Sequence, residues 1–237
     1  MLALALSAAI SAAAATAKLG DGCSAAEVRS AIAEADVRTL GSVAGDPVVL
    51  VGLHASCMCG NVNCPWLVVR AGRPASVLLT TYAFDVGIEP SREPLPRLRD
   101  HAHDSALITD EDLYAYRGGR YESLAVYRVR GDTGARKPDT VPVRFAAGSS
   151  AARLHGRVAT GWYDGYTFAA ARGQRLTIEA LISSAPPSLS LYDPQAGRSI
   201  DLQPGVAVTL ARSGTFQLHV DGASERETPY ALTLAIR

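Results

Sequence analysis

The segment HASCMCGNVNCPW, from His54 to Trp66, gathers Cys57, Cys59 and Cys64 behind a histidine, and the chain has one further cysteine, Cys23. Residues of these types can hold a metal, run thiol redox chemistry or close covalent loops. The spacing fits no zinc pattern, and no C-x-x-C pair is present for redox work. Four cysteines suit two disulfides. Three pairings are open to the sequence. Cys59–Cys64 with Cys23–Cys57 is preferred, because a bridge between Cys57 and Cys59 would be strained and GNVN is a turn-forming tetrapeptide. Two further clusters could do chemistry. RDHAHDS places His101 and His103 between Asp100 and Asp104, and in an extended segment residues two apart share a face. With no third ligand in view, it reads as a solvated loop. TDEDLY holds Asp110, Glu111 and Asp112 in a row, but a carboxylate pair for glycoside cleavage needs a defined separation across a cleft, so an acidic turn is expected. No G-x-S-x-G, H-E-x-x-H or P-loop occurs. The expectation is a non-enzyme with no cofactor and no metal.

Disulfides need an oxidising compartment, and the N-terminus supplies one. MLALALSAAISAAAATA is uncharged, apolar and alanine-rich. It ends in Ala15-Thr16-Ala17, an A-x-A pattern, ahead of Lys18. This reads as a secretory leader, residues 1–17, cleaved near Ala17. No Lys or Arg precedes its apolar core, which fits a start upstream of Met1 or a trimmed N-terminus. Gly20-Asp21-Gly22 ahead of Cys23 lacks the leucine of a lipobox. No later run reaches the length of a membrane-spanning helix. The mature chain is expected in the periplasm or secreted.

The elements that must position these residues follow from pattern. The chain has 237 residues, 48% hydrophobic and 19% charged, with Lys+Arg and Asp+Glu both at 23. That composition fits a packed chain of one large or two modest domains. The absence of a basic cluster sets nucleic acid aside as a partner. CSAAEVRSAIAEADV (23–37) predicts a helix, with Ser24 and Glu27 at capping-box spacing and Val28, Ile32 and Ala35 on one face. PVVLVGLHA, PWLVVRA and SVLLTTYAF predict strands. A proline-broken loop follows over 87–105, then a hairpin around Gly118-Gly119. RGDTGARKPDT (130–140) is polar and Gly/Pro-containing, the best linker candidate. Beyond it about eight short strands recur, VPVRF, ARLHGRVA, YTFAAA, RLTIEAL, SLSLYD, AVTLA, FQLHV and YALTLAI, the mark of an all-β sandwich. The predicted fold is mainly β: a disulfide-stapled α+β domain over 18–130, a linker over 131–140, and a jelly-roll-like sandwich over 141–237.

The run GRVATGWYDGYTFAAARGQRLTIEA, then SLSLYDP, ARSGTFQLHV and PYALTLAI, resembles the bacterial pre-peptidase C-terminal-like β-sandwich. Within that group it is most similar to the periplasmic inhibitors of g-type lysozyme. The carrying features are Tyr166 ahead of the Gly173-Gln174 turn, Gly214 before the penultimate strand and Tyr230 opening the last. In the N-terminal half, Cys59-Gly60 and Cys64-Pro65 are similar to small exported β-domains of Gram-negative bacteria. The resemblance implies a binding protein for a lysozyme or bacterial peptidoglycan hydrolase, in a setting of immunity against cell-wall cleavage, with peptidoglycan as a further partner.

Rigid loops on a sandwich lose little entropy on binding. The candidate contact loops are TGWYDG (160–165), LYDPQAGR (191–198) and DGASERETPY (221–230). Trp162, Tyr163 and Asp164 stand at a loop–strand junction and are expected to be exposed. Tyr192, Asp193 and Tyr230 complete the candidate surface, although Tyr166 and Tyr230 also read as core aromatics. Arg198 and Arg226 are the expected grips on a partner's carboxylates. Two other readings stay open. One is a cell-wall-binding module that stacks sugars on Trp162 and Tyr163. The other is a metal-binding protein using His54 or His101/His103.

Overall fold

The computed structural model describes residues 2–17, 19, 22–60 and 62–237. Lys18, after the expected cleavage point, Gly20 and Asp21, before Cys23, and Asn61 of the Gly60–Asn63 turn lie outside the described residues. The architecture is mainly β, with two helices at its start. The chain divides into two compact units, Met1–Arg136 and Lys137–Arg237.

In the first unit, helices α1 (Leu2–Thr16) and α2 (Ala25–Ala33) precede strands β1 (Asp36–Val43), β2 (Asp46–Gly52), β3 (Cys64–Arg70) and β4 (Ser76–Ala83), which form an antiparallel sheet in sequence order. The Ser24–Glu27 capping box forms as predicted, but the helix stops at Ala33 and Asp36 and Val37 already belong to β1. β2 and β3 read as apolar runs rather than alternations because both their faces are covered. Val49, Val51, Leu67 and Val69 meet Ala31 of α2 and Ala9, Ile10, Ala13 and Ala14 of α1. Val48, Leu50, Trp66 and Val68 meet Val86, Leu98, Tyr114 and Tyr121 of the second sheet. The residues read as a leader therefore form α1 and share a core with the sheet.

That second sheet comprises β5 (Asp85–Glu89), β6 (Arg97–His103), β7 (Ile108–Arg117), β8 (Arg120–Arg130) and β9 (Arg136–Pro138), again in sequence order. It corrects two expectations. The proline-broken segment holds β5 and β6, with the prolines confined to the turn between them, so RDHAHDS is largely strand. TDEDLY lies within β7 and is no acidic turn. The 131–140 segment carries β9 and the start of the next strand, and the two compact units divide within it, between Arg136 and Lys137. The Gly118-Gly119 hairpin forms as predicted, both residues at positive φ (55° and 90°), as a two-residue turn between twisted strands requires.

The second unit is a sandwich. One sheet runs β10 (Thr140–Pro142), β12 (Tyr163–Ala170), β17 (Gly214–Asp221), β14 (Ser188–Asp193), β15 (Arg198–Leu202). The other runs β11 (Ala151–Val158), β18 (Thr228–Ile236), β13 (Arg175–Ser183), β16 (Val208–Thr209). β10 joins β12 in parallel; the remaining pairings are antiparallel. Strict alternation turns Phe216, Leu218 and Val220 inward against Leu232, Leu234, Ile178 and Leu176. RSIDL, not predicted as a strand, forms β15. Its side chains are mostly exposed at the sheet edge, where burial imposes no alternation.

Candidate functional site

The cysteines resolve first. Cys23–Cys57 and Cys59–Cys64 are both disulfides, so no thiolate is left for a metal or for redox chemistry. The first ties the entry of α2 to the loop after β2; the second closes the turn into β3. His54 packs edge-on against Trp66, with ring centres 5.4 Å apart. His101 and His103 do share a face, as period two requires, but Phe84 occupies it, with ring centres 6.0 and 4.8 Å away. His101 also faces Glu111 at 3.6 Å. Glu111 in turn binds Arg99 at 3.0 Å and Arg136 at 2.9 Å. Asp112 lies on the opposite face of β7, where its N–H meets Asp100 and its carboxylate takes the Ser123 hydroxyl. Burial raises the Asp112 pKa, and the Asp100 charge adds to that. The three consecutive acids thus serve two sides of a sheet.

In the second unit, several predicted contact residues are instead structural. Trp162 is buried at 4% exposure. The Ala159–Trp162 bridge folds the ring inward, and the Lys137 ammonium sits over its face at 4.3 Å. Lys137 Nζ also reaches Asp164 Oδ1 at 2.6 Å, and Tyr230 donates its hydroxyl proton to Asp164 Oδ2 at 2.7 Å. The Tyr166 hydroxyl lies 2.7 Å from the Tyr230 oxygen and 3.1 Å from the His155 carbonyl, sharing its one proton between them. Burial raises the pKa of both phenols, Tyr230 most, so they act as neutral donors. Gly156 backs this chain, because a Cβ there would overlap Asp164 Oδ2 and the Tyr230 hydroxyl. Asp164 and Tyr230 are therefore internal anchors. Asp193 is another: it is paired in a bidentate way with Arg212, whose Nε lies 2.7 Å away. The Arg212 hydrogen bonds hold its pKa down to about 2. Tyr163 is half-buried. Its ring stacks on His219 at 4.8 Å, Tyr192 stacks on the far side of the same imidazole at 5.9 Å, and its hydroxyl donates to Asp139.

Arg198 and Arg226 remain exposed, but the registers separate them. Asp221 pairs with both Tyr163 and Ser188, which places the 222–227 loop at the end of the sandwich shared with the 159–162 turn. Arg198 pairs with Asp193 at the far end of β14. A strand of this length spans roughly 20 Å, so the two arginines cannot grip one carboxylate pair. At the Arg226 end the loops are tied together: Thr160 N–H donates to the Ser224 carbonyl. The Arg226 N–H donates to Ser224 Oγ and its carbonyl accepts from Thr228 Oγ1. Glu227 faces Arg157 at 3.5 Å, while the Arg226 guanidinium has no ion pair among the described residues. The result is a pinned backbone presenting one uncommitted cation.

Sequence reasoning did not single out Lys137, Arg212 or His219. Each acts on residues distant in the chain, and nothing local marks it.

No family profile matches the chain, and no curated protein matches it. Among solved structures it is similar to the periplasmic inhibitor of g-type lysozyme from Salmonella Typhimurium, with 24% identity and a TM-score of 0.37 over 42% of this chain and 98% of that one. A mutant of the Escherichia coli inhibitor gives 24% and 0.37 over 41% and 97%. The Aeromonas hydrophila inhibitor gives 26% and 0.35 over 41% and 96%.

Proposed function

We propose that this chain is an exported, periplasmic binding protein that inhibits a lysozyme or related peptidoglycan hydrolase sterically, and that it carries out no chemistry of its own. The observation that carries the reading is the Arg226 loop. Its backbone is fixed on both sides of the arginine by Ser224 and Thr228, it is cross-tied to the 159–162 turn, and its guanidinium has no ion pair among the described residues. Glycoside-cleaving sites hold paired carboxylates, and a pre-positioned guanidinium can take a carboxylate through two parallel hydrogen bonds with little ordering cost. The resemblance of residues 141–237 to lysozyme inhibitors points the same way. The sugar-stacking alternative is disfavoured by the same geometry, since Trp162 is buried and the Tyr163 ring is stacked on His219.

The test is a titration of g-type, c-type and i-type lysozymes and a bacterial muramidase with the pure protein. At least one is expected to be inhibited, and Arg226→Ala should weaken that inhibition by at least tenfold, about 1.4 kcal/mol. No inhibition of any of the four refutes the reading. Undiminished inhibition by the variant removes Arg226 from it.

A further inference from the structure

β11 is an edge strand. It pairs with β18 on one side and closes the order of its sheet on the other. Its odd-numbered residues turn their backbone groups to that open edge. Ser149 Oγ holds both the N–H and the carbonyl of Ala151, and the Tyr166 hydroxyl reaches the carbonyl of His155. By the alternation of an antiparallel ladder, Arg153 and Arg157 present theirs the same way. Between this edge and β10 lies a hollow of about 400 Å³, walled by Val141, Leu154 and Tyr166, with Lys137, Arg153 and Arg157 around it. Asp164 is the carboxylate in this lining, and Lys137 already pairs with it. On the solvent side of β11 the successive exposed side chains are Arg153, His155 and Arg157. Arg153 has no ion pair among the described residues.

We propose that β11 accepts an extended acidic segment of a partner protein by strand addition, on the long side of the sandwich rather than at the Arg226 loop. The backbone groups of Arg153 and Arg157 would continue the ladder. Side chains of an added strand alternate between faces. One set enters the hollow against Val141, Leu154 and Tyr166. The other lies beside Arg153, His155 and Arg157. The segment that fits therefore alternates apolar and acidic residues. Cations on an edge strand also discourage pairing between copies of one chain, and the same charges select an acidic partner.

The probe is a blocked seven-residue peptide alternating Val and Glu, labelled for fluorescence anisotropy and titrated with the full chain. It should bind, and the Val/Lys counterpart should bind at least tenfold more weakly. Arg153→Glu with Arg157→Glu should lower affinity for the Val/Glu peptide at least tenfold. Arg153→Gln with Arg157→Gln serves as the milder pair if the reversal disturbs folding. Two N-methylated forms of the peptide, with methyls on alternate residues, complete the test. The form whose methyls face β11 should lose binding and the other should keep it. Absence of binding, equal binding of the Val/Lys peptide, indifference to both arginine pairs, or retention by both methylated forms would each overturn the proposal. Lysozyme inhibition measured on Arg153→Glu alone, which keeps the Arg157–Glu227 pair intact, should be unchanged, which separates this edge from the loop.

Discussion

Tyr230→Phe removes one oxygen from the middle of the buried chain Lys137–Asp164–Tyr230–Tyr166. Tyr230 is 3% exposed and its hydroxyl has two partners at 2.7 Å, one of them a carboxylate. Asp164 Oδ2 then loses its donor while Oδ1 keeps Lys137, and Tyr166 retains only the His155 carbonyl. A hydrogen bond to a charged group contributes about 1.5–3 kcal/mol, and a buried acceptor left unsatisfied lies in the same range, so a loss of about 2 kcal/mol is expected. For a unit of about 100 residues this lowers Tm by roughly 10 °C. Hydrogen exchange of the β18 and β12 amides under increasing urea reads the second unit alone, so events in the first unit do not mix in. A double-mutant cycle with Asp164→Asn should show coupling above about 1 kcal/mol. A stability change under about 0.5 kcal/mol, or additivity in the cycle, would refute the account of this network. The variant also separates two roles for Tyr230. A partner contact would weaken inhibition and leave stability alone, whereas an internal anchor does the reverse below the melting range.

Asp193 makes the second unit acid-sensitive. Arg212 holds its pKa near 2, below an ordinary value of about 3.9, so its contribution is fully present above that ordinary value and is lost as the pH falls through the folded one. Acid titration of stability should be shallower between these values in Arg212→Gln; equal slopes would refute the pairing. In the first unit, the Cys23–Cys57 bridge closes a separation of 34 and Cys59–Cys64 one of 5. Replacing each pair by serines should destabilise by about 4 and about 2 kcal/mol respectively, read by urea unfolding, and the reverse order would contradict the chain-entropy reasoning. Finally, we propose that export removes residues 1–17. Intact mass of periplasmic material should begin at Lys18, and 1-anilinonaphthalene-8-sulfonate should bind the apolar face of Val49, Val51, Leu67 and Val69 that α1 covers. A mass that includes α1 would reject the leader.

The sequence by itself determined much of this protein. The helix cap, the Gly118-Gly119 hairpin, the cysteine pairs and most sandwich strands rest on local rules: side-chain oxygens at fixed offsets, φ preferences, loop length and period-two burial. Tertiary structure decided the fate of the polar residues. Exposure at a loop–strand junction was a reasonable expectation for Trp162, but Lys137 lies 25 positions earlier in the chain and comes over its ring only once β12 takes its place in the sheet. Asp164 and Asp193 look like surface groups in sequence, and become internal because Lys137 and Arg212 reach them from distant parts of the chain. Arg198 and Arg226 look equivalent in sequence, yet strand register sends them to opposite ends of the sandwich. Apolar patterning is written along the chain because burial acts on each residue in turn. The pairing of charges depends on which strands become neighbours, and no local signal carries that.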